Sequence, residues 1–211
     1  MKKRNESKIT MAALMMMAAM TMTSCASSKK INGDSNVSKD SEMGKNEEDL
    51  DNSYLVLSDA QQDIVKKNNA FALRLFNKVT DMESKVISPM SVSYLMGMLA
   101  NGADGITQQE ILKAIGCEGV SVNDLNELYK AMLLTANKQD KQTTVNIANY
   151  IAVNKNFQLN KDFCQKVSDS YLAGIESLDF TSSKTTDRIN GWCKEKTNGM
   201  IPRIIDQVSA D

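Results

Sequence analysis

The stretch from Ser88 to Ile111 constrains the fold more than any other, because it specifies both ends of one helix and the start of the next. Ser88 is a favourable N-cap, and Pro89 suits the first helical turn, where a missing N–H costs nothing. Val92, Leu95, Met96 and Leu99 follow at i, i+3, i+4 and i+7, while Met90, Tyr94 and Met98 make the opposite face apolar. A helix apolar all round is a buried one, so this chain must wrap other layers around it. The helix stops in Asn101-Gly102-Ala103-Asp104-Gly105, whose glycines can take left-handed conformations. Thr107-Gln108-Gln109-Glu110 then reads as a capping box that opens a short helix ending near Ile115.

On either side the pattern is amphipathic. Ile64, Phe71, Ala72, Leu75, Phe76 and Val79 share one face of a helix running from Asp59 to about Thr80. Another begins near Ser121, with Leu125, Leu128, Tyr129, Met132 and Leu133 on one face. Residues 144–154 change the period to two: Val145, Ile147, Asn149, Ile151 and Val153 face one way, and Asn146, Ala148, Tyr150, Ala152 and Asn154 the other. A strand with small and apolar residues on both faces suits the interior of a covered sheet. An unpaired Asn149 amide in that apolar row would be costly, so it should bond to something specific. Asn160 caps the next helix, a second strand-like piece runs from Ile175 to Phe180, and a last helix spans 186–196 with Ile189, Trp192 and Cys193 inward. No internal repeat is present.

The ends read differently. A basic start followed by an apolar stretch, Ile9 to Met22, too short to span a bilayer, marks residues 1–24 as a targeting segment. Met22-Thr23-Ser24-Cys25 is similar to a bacterial lipoprotein cleavage site, which would make Cys25 the lipid attachment point and a membrane its neighbour; an ordinary signal peptide cleaved nearby is the other reading. Removing residues 1–24 moves the net charge from −1 to about −4, which argues against a nucleic-acid partner. Residues 25–58 hold too few apolar groups to fold and read as a flexible tether reaching roughly 30 Å. That leaves 59–211 as the folded body.

Histidine is absent. No Ser-His-Asp triad, Cys-His pair or histidine-bearing metal site can be built, and no phosphate-cradling glycine motif occurs. No catalytic residue, metal or cofactor is therefore assigned, and the chain reads as a non-enzyme. With Cys25 lipidated, Cys117, Cys164 and Cys193 leave an odd number of thiols. Buried free thiols are the plainer reading for Cys164 and Cys193, with a Cys164–Cys193 bridge left open.

Four segments in this order resemble the serpin family: "NNAFALRLF" (68–76), "ISPMSVSYLMGMLANGADGITQQEI" (87–111), "IANYIAV" (147–153) and "LDFTSSKTTDRINGWCKEKTNGMI" (178–201). The resemblance implies an α+β fold in which N-terminal helices pack against part of a large mixed sheet. It implies that Ser88 and Ser91 lie beneath the point where that sheet opens, with Asn149 a buried strand asparagine nearby, and that the helix at 186–196 lies across the sheet's face. The family traps serine or cysteine proteases by suicide-substrate inhibition: a cleaved reactive loop inserts into the main sheet as a new strand. The sequence stops where roughly half such a domain would remain, so the reactive-site bond falls outside it, and the expectation is a truncated, non-inhibitory frame of an exported, extracellular or envelope-anchored inhibitor. Its target protease would be a partner only once the frame is completed. A different reading is an envelope-anchored interaction lipoprotein on the same scaffold. An envelope hydrolase would rest on unassigned carboxylates alone.

Overall fold

The computed structural model describes residues 55–81, 84–138 and 142–209, together with the backbone of 14–16. Its elements are β1 (Leu14–Met16), α1 (Asp59–Val79), α2 (Pro89–Asn101), α3 (Gly105–Ala114), α4 (Val122–Thr135), β2 (Tyr150–Asn154), α5 (Lys161–Tyr171), β3 (Gly174–Leu178) and α6 (Ser183–Lys196). β2 pairs in parallel with β3, through a crossover carried by α5, and antiparallel with β1, where Met15 faces Ile151. The result is a small mixed sheet in the order β1-β2-β3.

Two clusters cover the two faces of this sheet. On one side, Ile151 packs with Ile64 and Phe71 of α1, Tyr94 and Met98 of α2, Leu112 of α3, Leu125, Leu128, Tyr129 and Leu133 of α4, and Val167 and Tyr171 of α5. On the other, Tyr150 and Ala152 pack with Ile189, Trp192 and Cys193 of α6 and with Phe180 and Val208. The alternation expected of the strand is thus realised: odd positions meet the five helices and even positions meet α6. This is the α+β, helix-on-partial-sheet architecture the sequence implies.

Several boundaries differ from the sequence reading. Ladder pairing covers Tyr150–Asn154 rather than 144–154, because β3 begins only opposite Tyr150. α3 starts at Gly105, with Asp104 rather than Thr107 as its cap; Asp104 Oδ1 accepts from the Gly105 N–H at 2.7 Å. Gln108, expected inside a capping box, instead donates its amide to the carbonyls of Ala100 and Ala103, both at 2.9 Å, and so binds α2's last turn to α3. Of the two glycines in that turn only Gly105 is left-handed, with φ 55°. α6 starts at Ser183, three residues early, because Thr185 donates its hydroxyl to the Asp179 carbonyl at 2.6 Å and holds the first turn in place.

α2 is covered on both apolar faces, but unequally. Ser91, Ser93, Tyr94, Gly97, Met98 and Ala100 are deepest, while Val92, Leu95, Met96 and Leu99 are half-buried. Small residues let neighbouring elements come close. A Cβ at Gly97 would collide with the Tyr171 hydroxyl. The last residues of the expected tether belong to the body: Leu57 packs against the first cluster, and Ser58 with Gln61 forms a reciprocal capping box. The targeting segment, Cys25 and the tether up to residue 54 lie outside the described residues, apart from the backbone of Leu14–Met16, which pairs with β2.

Candidate functional site

Ser88 and Ser91 are brought together at the start of α2. Ser88 Oγ accepts from the Ser91 N–H at 3.3 Å and lies 2.8 Å from Ser91 Oγ. The capping geometry follows directly from Ser-Pro-x-Ser, since the cap's oxygen meets the N–H three residues on. Ser88 is half-buried and Ser91 buried.

Asn149 is held by another element. Its amide donates to the Tyr171 carbonyl at 2.7 Å in a buried setting. That carbonyl is among the orphans at the end of α5, so one side chain settles both the polar group in the strand and the open end of the helix. Tyr171 in turn donates its hydroxyl to Asn126 Oδ1 at 2.8 Å. Asn126 and Asn101 exchange amide hydrogen bonds at 2.8 and 2.9 Å, and Asn101 also donates to the Gly97 carbonyl. Around this chain Tyr94, Tyr129 and Tyr171 meet edge to face, with Tyr94 and Tyr129 centroids 4.9 Å apart. Burial pushes all three phenols well above the usual tyrosine range. Asn68 donates to the Tyr129 hydroxyl at 2.9 Å and accepts from Cys117 Sγ at 3.5 Å, where burial lifts the thiol to about 11.

On the other face of the sheet, α6 is fixed by polar clasps at its edges. Arg188 and Glu176 of β3 form a two-pronged ion pair, with Nε to Oε2 at 2.8 Å, which holds the Glu176 carboxyl below its usual range. Asn190 donates to the Ile205 carbonyl and accepts from the N–H groups of Ile204 and Ile205, tying the closing loop to the helix. Asn146 donates to the Lys196 carbonyl at 2.7 Å. Under α6, Trp192 stacks on Tyr150 with centroids 4.6 Å apart. None of these arrangements sets a nucleophile beside a base. Among the described residues no group of three His, Cys, Asp or Glu side chains could hold a metal ion, and no helix is long and apolar enough to cross a membrane. Cys117, Cys164 and Cys193 are free thiols, so the Cys164–Cys193 bridge left open by the sequence is not present; Cys117 and Cys193 are buried and Cys164 is half-buried.

The sequence reading singled out Ser88, Ser91 and Asn149 but not the hydrogen-bonded chain of Asn101, Asn126 and Tyr171, nor Asn68 on the Tyr129 hydroxyl. Asn126 carried a signal: it shares an i, i+3, i+7 stripe with Tyr129 and Leu133, and a lone amide on an apolar stripe demands a partner. Asn101 carried none, since Asn before Gly reads equally well as a turn.

The order of these elements and their covered mixed sheet match known proteins. A family model described as serpin (serine protease inhibitor) matches residues 66–211. Iripin-1 and Iripin-2 of Ixodes ricinus are 32% and 31% identical over 146 and 163 residues, which cover 66% and 74% of this chain but 37% and 41% of theirs. The chain therefore spans about two-fifths of the length of these relatives. Among solved structures, the thermophilic serpin tengpin in its latent state shares 34% identity with a TM-score of 0.62, covering 74% of this chain and 42% of that one; in its native state the TM-score is 0.63. Human thyroxine-binding globulin, 24% identical with a TM-score of 0.61, shares the fold. With more than half of its length matched by one family model, over the same helices and strands that build the two-faced sheet, the chain belongs to the serpin family.

Proposed function

We propose that this chain is the sheet-bearing frame of an exported serpin-type protease inhibitor, attached to a membrane through lipid on Cys25, and that it is not an enzyme. The observation that carries this reading is the sheet itself: β2 and β3 lie between five helices on one face and α6 on the other, within the segment the family model matches. In suicide-substrate inhibition a protease cleaves a reactive loop, which then enters the main sheet as an added strand. Asn149 would serve that step by tying the chain entering β2 to the end of α5, and Ser88 and Ser91 by fixing the first turn of α2, while the sheet takes the new strand. In this reading the 211 residues supply receiving structure, and by themselves they should be non-inhibitory towards serine and cysteine proteases. Reading the coding sequence past Asp211 tests this: a further sheet strand followed by a loop of small residues supports it, and an immediate stop codon counts against an inhibitor.

A second reading is favoured by a specific surface. Leu73, Phe76 and Val79 are exposed at i, i+3 and i+6 of α1, and Val86 beyond them is fully exposed. Such a stripe suits an interaction lipoprotein that uses the scaffold for binding. Cooperative unfolding of an isolated monomer would support that reading, and a self-associating, loosely packed product would count against it.

A further inference from the structure

A cleft of about 440 Å³ opens beside β3, between the chain entering β2 and the C-terminal half of α6. Its walls include Ile147, Leu172, Gly174, Arg188 and Trp192. Four features of it converge. The chain entering β2 is already strand-like: Ile147 packs with the first cluster and Ala148 with the second, continuing the alternation of Ile151 and Ala152. Backbone groups in a strand alternate sides, so those of Ile147 point the same way as the Asn149 carbonyl, which accepts from the Gly174 N–H at 2.9 Å. β3 begins at Gly174, so the row it occupies ends there, and no described residue hydrogen-bonds the Ile147 backbone.

The second feature is Leu172, which caps α5 with φ 51°, a left-handed conformation costly for a non-glycine residue, and which remains 48% exposed. Third, Gly174 brings no side chain into the space beside Tyr150 and the Trp192 indole nitrogen. Fourth, the charges of Glu176 and Arg188 satisfy one another, so this edge of the cleft carries no net field. A missing stretch of β-row, an apolar lip and a neutral rim suit an uncharged strand better than a small ion or an acidic ligand.

We propose that this cleft docks an extended, uncharged peptide that continues the row of β3 alongside residues 146–148. Its backbone pairs with the N–H and C=O of Ile147, and alternate side chains fill the space between Leu172 and Trp192. This site is separate from the protease-inhibitor reading above and stands whether or not that reading does.

Trp192 is the only tryptophan in the chain, so its emission reports occupancy of the cleft. The full chain is titrated with acetyl-Thr-Val-Thr-Val-amide, following Trp192 emission and amide hydrogen exchange at Ile147. The expected result is a saturable emission change, with Ile147 exchange slowed tenfold or more. The same peptide methylated on its central amide nitrogens should do neither. Leu172→Asn, which suits the left-handed conformation better and removes the apolar lip, should weaken binding several-fold without lowering the thermal midpoint, which separates binding from folding. Equal binding of the methylated peptide, an emission change that leaves Ile147 exchange unaltered, or no response at millimolar peptide would each overturn the proposal.

Discussion

Asn126 accepts from both Asn101 and Tyr171, so one amide oxygen ties α4 to the end of α2 and the end of α5. Replacing it by leucine, of similar size, strands the buried Tyr171 phenol and leaves the half-buried Asn101 side-chain oxygen without its donor. Asn126→Leu should therefore cost about 2–3 kcal/mol, read as a lower urea midpoint with an unchanged slope. Gly97→Ala drives a methyl into the Tyr171 hydroxyl and should cost about 1–3 kcal/mol. Adding Tyr171→Phe should recover part of that loss, because the colliding oxygen goes. Thiol labelling probes the same core from another direction. Cys117 is buried with its thiol lifted to about 11 and Cys193 is buried with its thiol raised, whereas Cys164 is half-buried. Iodoacetamide at pH 8, followed by peptide mapping, should modify Cys164 well before the other two. At this scale the sequence was legible wherever chemistry forced a partner, as at Asn149, and opaque where one residue type serves two purposes. Asn101 looks like turn chemistry and acts as a core amide.

Helix existence was readable from periodicity: α1 and α2 begin and end within a residue of where their apolar patterns place them, and α4 begins within a residue of its expected start. The misplaced starts have local causes that a linear pattern does not display. Thr107-x-x-Glu110 has the spacing of a capping box, but Gln108 is committed to α2's open carbonyls and Asp104 reaches the cap position first. Asp104→Ala should then cost about 1 kcal/mol and Thr107→Val much less, by thermal unfolding of the two variants. The strand's first half was misread as paired because alternation reports which faces are covered, and it carries no information about whether a neighbour runs alongside. Between the strand ends, Lys155 donates to Asp179 at 2.7 Å, and with Thr181 it holds the Asp179 carboxyl down at about 2. The folded value lies below the ordinary one of about 3.9, so the stabilisation is present above pH 4 and is lost as pH falls from about 4 towards 2. Thermal midpoints of the wild type and Asp179→Asn should differ at pH 5 and converge near pH 2. The pair is solvent-exposed, so the difference should be small and should shrink in high salt.

At the scale of the molecule, a short sheet organises everything, with Ile151 on one face anchoring five helices and Tyr150 and Ala152 on the other anchoring α6. That architecture was legible because the strand's two faces are both apolar, which only a covered sheet requires. The proposed role of the frame was legible only through its likeness to a family, since among the described residues no group of metal-ligating side chains marks a site. The chain spans about two-fifths of its relatives' length, and in the proposed function these residues are the part that receives a strand. The most direct test is to incubate the purified 211-residue chain with a panel of serine and cysteine proteases and separate the products under denaturing conditions. The expected result is cleavage or no reaction, with no SDS-stable covalent complex; a stable complex with any protease of the panel would contradict the account.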